Sequence, residues 1–459
     1  MNLYDHHCYH MARLVLETVT PLSIASGSSD GVFDTLLVRD ANDLPAIPGT
    51  SLAGVLRSLL DEKQAERLFG YADGNVGEAS RVQVSWGCIH DSNNQPVEGL
   101  QLEAEGQKRL KDDTLLKLAS ESQPLVRDHV KIDHRGTASD QAKFDRTALP
   151  AGYRFSVEIS LWSDATEDPD WNLLLSLFTS PALRLGGATR RGYGALSCIS
   201  AHGRSFDLRN AEDFQLFSGN SRHIGNTESL PPIQIKPATD TSIETANVSL
   251  EAEDFWRFGQ GNEPVTQSAK PADLLPDLEP RVIWENNRGK LLLGMVRIPA
   301  SGIKGAIAHR TAYHYSCLTD AFDTEKLPEE NPALRYLFGY TDKEEAHAGA
   351  IIINDEFIPV SDSQFSQMMH NAIDRFTGGV QQGALFSEEL CFKAPINFSL
   401  LLLHNKLSRD FEHHDLALKS FELALQDLAD GRLSLGAAAN RGHGYFTGKV
   451  VWSNEGEMA

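Results

Sequence analysis

The sequence predicts an α+β protein of two ferredoxin-like βαββαβ domains in tandem, each with a glycine-rich loop and insertions. Three observations carry that prediction. Residues 183–196 (LRLGGATRRGYGAL) return about 250 positions later as residues 433–446 (LSLGAAANRGHGYF), with Arg191/Arg441, Gly192/Gly442 and Gly194/Gly444 matched. Further landmarks recur in the same order. IPGTSLAG at 47–54 pairs with IPASGIKG at 298–305, Leu68-Phe69-Gly70-Tyr71 with Leu337-Phe338-Gly339-Tyr340, and Ile132-Asp133-His134-Arg135 with Ile373-Asp374-Arg375. Finally, hydrophobic periodicity in each half switches between strand and helix in the order β-α-β-β-α-β. Repetition on this scale marks a duplicated unit.

Residues 1–11 read as a polar tail; Asp5-His6-His7-Cys8-Tyr9-His10 offers metal-ligand types without a second cluster at ligand spacing. Residues 13–19 alternate as a strand, and 21–31 form a Ser/Gly loop. Asp34 then stands between that loop and an apolar run, with Asp30 nearby. The turn at 47–51 ends in the N-cap types Thr50 and Ser51. Leu52, Val55, Leu56, Leu59 and Leu60 give an amphipathic stripe, so a helix is expected from there to a stop at Gly70. A strand at 81–89 precedes a polar insertion, about 91–150, too long for a simple connection. Its last third gathers His129, Lys131, His134, Arg135, Lys143 and Arg146. A strand at 153–162, a helix at 171–178 and a strand at 195–200 complete a first domain over 1–202. The Asn-, Ser-, Thr- and Pro-rich stretch 203–246 reads as a linker. The pattern restarts in a second domain over 247–459, with a strand near 248–253 and a second long helix carrying Leu416, Phe421, Leu425 and Leu428.

A chain of 459 residues exceeds what one core supports, and 41% hydrophobic with 23% charged residues is ordinary for a globular protein. No apolar run reaches the ~18–20 residues that span a bilayer, so no membrane partner is expected. The first residues lack a basic region followed by an apolar one, so no secretory signal is expected either. Five cysteines without a Cys-x-x-Cys pair fit free thiols in a reducing cytoplasm. The net charge of −21 argues against diffuse binding to a polyanion and leaves only a local basic groove for one. The glycine loops supply such a place. Glycine permits close backbone approach, while arginine forks and exposed N–H groups receive phosphate oxygens.

On Gly31-x-x-Asp34, IPGTSLAGVLR, IDHRGTA and LGGATRRGYG, the chain resembles the RAMP superfamily of CRISPR systems, and its first half the backbone subunits of type III effector complexes. The resemblance implies RRM-like domains binding CRISPR guide RNA and complementary target RNA among other effector subunits. It places Gly186, Gly187, Arg190, Arg191, Gly192, Tyr193 and Gly194, with Gly436, Arg441, Gly442 and Gly444, at guide phosphates. Ser51, His134, Arg135 and Lys304 join them, and the 91–150 insertion would separate guide from target. Arg57 and Arg310 are expected on exposed helix faces, without a ligand. The resemblance also makes Asp34 the residue for metal-dependent target cleavage, with Mg2+ the expected ion, no organic cofactor, and Asp30 a weaker candidate. In the second half Glu279-Pro280 falls where Asp34 stands, and Asp277 is the remaining candidate. Two alternatives stay open: a non-catalytic guide-RNA scaffold, and a guide-RNA-processing endonuclease acting alone. His443 replaces Tyr193, which suggests stacking, and His413-His414 reads as a solvated helix start.

Overall fold

The computed structural model describes residues 6–27, 36–132, 138–237, 240–259, 261–266, 270–321, 330–341, 345–359 and 362–453. The first half contains β1 (Cys8–Thr18), α1 (Gly49–Ser58), α2 (Glu62–Phe69), β2 (Val82–Val84), β3 (Leu125–Ile132), β4 (Ala138–Ala148), β5 (Arg154–Ser163), α3 (Pro169–Ser176), β6 (Leu196–Asp207) and α4 (Ala211–Gly219). The second contains β7 (Ile243–Ala252), β8 (Leu278–Glu285), β9 (Arg288–Ile298), α5 (Ala300–Thr319), α6 (Pro332–Phe338), β10 (Ile351–Ile353), β11 (Phe365–His370), β12 (Phe386–Phe392), β13 (Ile396–Leu403), α7 (His414–Ala429) and β14 (Phe446–Trp452).

The principal sheets run β2-β5-β1-β6 and β10-β13-β7-β14, with antiparallel neighbours throughout. Numbered in chain order, each is 2-3-1-4, the ferredoxin-like arrangement. Leu14, Leu16, Phe155, Val157 and Ile159 pack with Leu52, Leu56, Leu174 and Phe178 in the first core. Val248, Leu250, Ile396 and Phe398 do so with Ile303, Ile307, Phe421 and Leu425 in the second. Each such burial contributes about 1.5–3 kcal/mol before conformational entropy is subtracted.

Several expectations are corrected. The tail is a strand from Cys8 onward, because Cys8, His10, Ala12, Leu14 and Leu16 share one face at period two. His10 is fully buried there, its Nδ1 2.6 Å from Ser205 Oγ and its Nε2 2.7 Å from Ser163 Oγ. The helix expected to run to Gly70 breaks after Ser58, and Asp61 starts α2 with a capping box shared with Gln64. The 91–150 insertion holds two short helices, Ala104–Asp112 and Thr114–Ser120, and the β3–β4 hairpin. Within 203–246, β6 continues to Asp207 and α4 follows. Buried Arg13 reaches across to this segment, donating to Ser221 O (2.5 Å) and Asn226 O. Met11, Phe206 and Leu230 pack there with Tyr9 and Phe217. That layer covers the first sheet's outer face, where an RRM-like domain would stack bases.

The halves interlock. Val282, Trp284 and Leu291 of the β8–β9 hairpin join the first core. Val282 N donates to Ala151 O (2.9 Å), Trp284 Nε1 to Gly152 O (2.7 Å), and the Arg154 guanidinium lies 4.2 Å from the Trp284 ring. All five cysteines are free, as expected, and no helix among the described residues is long and apolar enough to cross a membrane.

Candidate nucleic-acid interface

The two glycine loops have one backbone conformation. Their φ angles pair as 86° and 85° at Gly186/Gly436, 57° and 63° at Ala188/Ala438, 94° and 88° at Gly192/Gly442, and 76° and 74° at Gly194/Gly444. At the last pair only glycine fits, since a Cβ would lie 2.0 Å from Leu185 O or Leu435 O. A left-handed alanine in each loop costs about 1–3 kcal/mol, so the surroundings must hold the shape.

The first loop is held by the second domain. Arg190 Nε donates to Gly349 O (2.8 Å), and Lys304 Nζ donates to Arg190 O (3.2 Å) and Ile351 O (3.1 Å). Gly192 sits so close to Ala300 and Asp355 that a Cβ would lie 2.5 Å from Asp355 Oδ1. That oxygen accepts from Ala300 N (2.7 Å) at the start of α5. Its partner Oδ2 takes Arg127 Nη1 at 2.5 Å, while Arg127 Nε and Nη2 grip Glu279 at 2.6 Å each. Arg297 adds a contact to Glu279 at 3.0 Å. Burial pushes the Glu279 carboxyl up, but Arg127 and Arg297 more than offset this and hold it below the usual range. Above the latch lies Tyr193, fully buried, its ring 4.7 Å from the Arg127 guanidinium and its hydroxyl 2.9 Å from His129 Nε2.

Around the same loop stand Arg146, Arg184, Arg190, Arg191 and Lys304, none of which forms an ion pair among the described residues. Arg184 is 5% exposed, with Nε and Nη1 lacking any hydrogen-bond partner; burial, helped by Arg190, pushes it down to about 10. Burial, then Arg190 and Arg191, push Lys304 down to about 7. Burial and the nearby arginines push His129 down to about 4, so it is neutral at pH 7. Exposed Arg191 lies 5.1 Å from the Phe144 ring, which stacks on His129. Among the described residues these cations have no paired carboxylate, Asp355, already held by Arg127, being the acid that acts on Arg184, and in a chain of net charge −21 such a cluster is a candidate anion site.

The second loop repeats the constellation with different charges. Arg441 lies 5.2 Å from Phe386, which stacks on His370, matching Arg191, Phe144 and His129. Glu388 occupies the place of Arg146, two residues beyond the aromatic, and His443 that of Tyr193. Among the described residues, space around Gly442 is open, whereas Gly192 is packed against Ala300 and Asp355.

Of the other expected site residues, Asp34 and Asp30 (in 28–35) and His134 and Arg135 (in 133–137) lie outside the described residues. Ser51 is half-buried in the first turn of α1. Asp277 is engaged by Arg297, with Nε at 2.7 Å, and burial raises its carboxyl pKa. Tyr193 and His443 are buried, so neither ring offers a face to a base. Lys304 faces carbonyls at the junction rather than open solvent, and two of its three N–H groups are used. Arg57 and Arg310 are bound internally, to Gly70 O (2.7 Å) and Asp427 (2.5 Å). His414 is bonded to the Tyr336 hydroxyl at 2.6 Å rather than merely solvated. Sequence reading missed Arg127, Arg184 and Asp355; the only signal was position, with Arg184 inside the repeated loop and Asp355 just past the repeated strand.

The family profile that matches the chain is described as RAMPs, the RAMP superfamily, and it matches twice, over residues 15–197 and 223–447. No curated protein matches the sequence.

Proposed function

Because the chain belongs to the RAMP superfamily, whose members are associated with CRISPR RNA binding, we propose that it is a guide-RNA-binding backbone subunit of a type III effector complex. The observation that carries this reading is the cluster of Arg146, Arg184, Arg190, Arg191 and Lys304 around the first glycine loop, none of them ion-paired among the described residues. Guide phosphates would pair with these cations, with arginine forks and loop N–H groups as donors. His134, Arg135 and Ser51 are proposed contacts on the resemblance alone.

The backbone role is supported by how the halves meet. The first domain's loop docks on the second domain's IPASG turn, a head-to-tail contact. Strand register makes Val82 and Val84 the counterparts of Ile351 and Ile353, and so Trp86 that of Asp355. Trp86 is 53% exposed beside the first domain's own turn, and at the other end the second loop is open at Gly442 among the described residues. Such unlike, complementary ends suit further head-to-tail neighbours.

We also propose target-RNA cleavage at Asp34, with Asp30 weaker. Its carboxylate would orient the attacking 2′-hydroxyl and hold a divalent ion, Mg2+ first, which stabilises charge developing on the phosphate. The second domain's counterparts are less suited to this, since Glu279 and Asp277 are committed to arginines.

The test is assembly with guide RNA, addition of complementary RNA with Mg2+, and comparison with Asp34→Ala. Loss of one cleavage position with guide binding retained supports the assignment. Unchanged cutting at every position reduces the chain to a scaffold, and metal-independent cutting of repeat RNA by the isolated protein replaces the reading with a processing enzyme.

A further inference from the structure

The second copy of the constellation has changed its chemistry. Where the first gathers Arg146, His129 and Tyr193, the second gathers Glu388, His370 and His443. One nitrogen from each histidine and one Glu388 oxygen lie within 4.8 Å of one another. His370 Nε2 is 2.7 Å and His443 Nε2 3.9 Å from Glu388 Oε1.

These groups are ion-paired but poorly hydrogen-bonded. Glu388 is 0% exposed, yet neither of its oxygens has a well-aligned hydrogen bond, Arg257 approaching only to 3.5 Å, and both Nε2 atoms are likewise without one. The 2.7 Å contact is close but wrongly angled for a hydrogen bond. Two imidazole nitrogens and a carboxylate oxygen converge there, and these are donor types that a divalent cation takes. At metal–ligand distances of about 2.0–2.1 Å, tetrahedral donors stand roughly 3.3 Å apart, so shifts under about 1 Å complete the geometry.

Arg441 Nη2 (3.1 Å) and Arg257 Nη2 (3.5 Å) also approach Glu388. They neutralise the carboxylate when no ion is bound. Arg441 is about one-third exposed and can swing outward from its perch over Phe386, whereas Arg257 is buried and stays. Two imidazoles and one carboxylate, with no thiolate, suit a borderline divalent ion; oxygen-seeking Mg2+ and Ca2+ are poorly matched.

We propose that His370, Glu388 and His443 form a zinc site in the second domain, at the position corresponding to the first domain's proposed anion site. It leaves a fourth coordination position beside Arg441. The site needs no RNA, so its test is independent of the guide-binding reading.

Untagged full-length protein is stripped with chelator, dialysed, and titrated with Zn2+ by calorimetry, and with Co2+ by visible absorption. The wild type and His129→Ala bind the ion with Co2+ bands of nitrogen–oxygen ligation, while Glu388→Gln and His443→Tyr lose it. Tyrosine is what the first copy carries at that place, so His443→Tyr serves should Glu388→Gln fail to fold by circular dichroism. Equal Zn2+ uptake by the wild type and both variants overturns the proposal. So does uptake showing thiolate charge-transfer bands and abolished by Cys8→Ala, which would place the ion at the separate His7, Cys8 and Asp207 group. A Glu388→Gln melting-temperature loss identical with chelator and with Zn2+, and no Zn2+ uptake by the wild type, reduces the cluster to an ion-paired network and also overturns it.

Discussion

Arg127→Met keeps most of the side-chain volume and removes the charge that joins the two halves. In the wild type the guanidinium spans Glu279 and Asp355 through three bonds of 2.5–2.6 Å, with all three side chains essentially out of water. Removing one partner of a buried ion pair costs about 3–5 kcal/mol, because the remaining charge is left uncompensated. Here the lower end applies. Glu279 keeps Arg297 at 3.0 Å, and Asp355 keeps the Ala300 amide at 2.7 Å. About 3 kcal/mol in domains of this size corresponds to a melting-temperature loss of roughly 6–12 °C. Thermal melts by circular dichroism read this directly, with limited proteolysis reporting separation of the halves. Pairing Arg127→Met with Glu279→Met should recover part of the loss, since one orphaned charge is then gone. The pH dependence has a definite sign. Glu279 is held below its unfolded pKa of about 4.3, so the latch's contribution is present above that pH and is lost as pH falls through the folded value. The gap between wild type and variant therefore narrows in acid. A variant melting within about a degree of wild type at pH 7 would refute this account of the junction.

Two further outcomes follow from the loop. Arg190→Ala and Arg191→Ala should each weaken guide RNA alike for all sequences and flatten the log K against log salt slope by about 0.7 per lost phosphate contact. Unchanged slopes in filter-binding titrations would remove these residues from the interface. Lys304, depressed to about 7, regains its proton when an anion settles beside it. Guide affinity should then be full below about pH 7 and decline as pH rises above it, and Lys304→Met should abolish the decline. A wild-type profile flat from about pH 6.5 to 8.5 would exclude Lys304 from binding.

What the sequence made legible was what repeats or is local. The duplication, the helix and strand order and the glycine-loop pairing all lie in short patterns, and even the faint echo between Ile132-Asp133 and Ile373-Asp374 matches the register that sets His129 against His370. The strand at Cys8 was missed because a histidine, satisfied by two serines, took an apolar position. The break in the first long helix was missed although Asp61 and Gln64 spelled a capping box. The junction was beyond reach for a different reason. Arg127 is 152 residues from Glu279 and 228 from Asp355, and it stands in a polar insertion that carries several other cations. No local pattern announces that a charge will be buried by residues from another domain.

The β8–β9 hairpin sets the order in which this chain can finish folding. Val282, Trp284 and Leu291 complete the first domain's core, so a ribosome that has released only the first half has released a domain with an open seam. The seam closes once residue 291 has emerged, and by then the second domain's own first strand, β7, is already out. Cutting the gene between the repeats would therefore not yield two self-sufficient pieces. The first would carry an apolar gap at Gly152 and Arg154, where Trp284 now rests, and would favour aggregation over solubility.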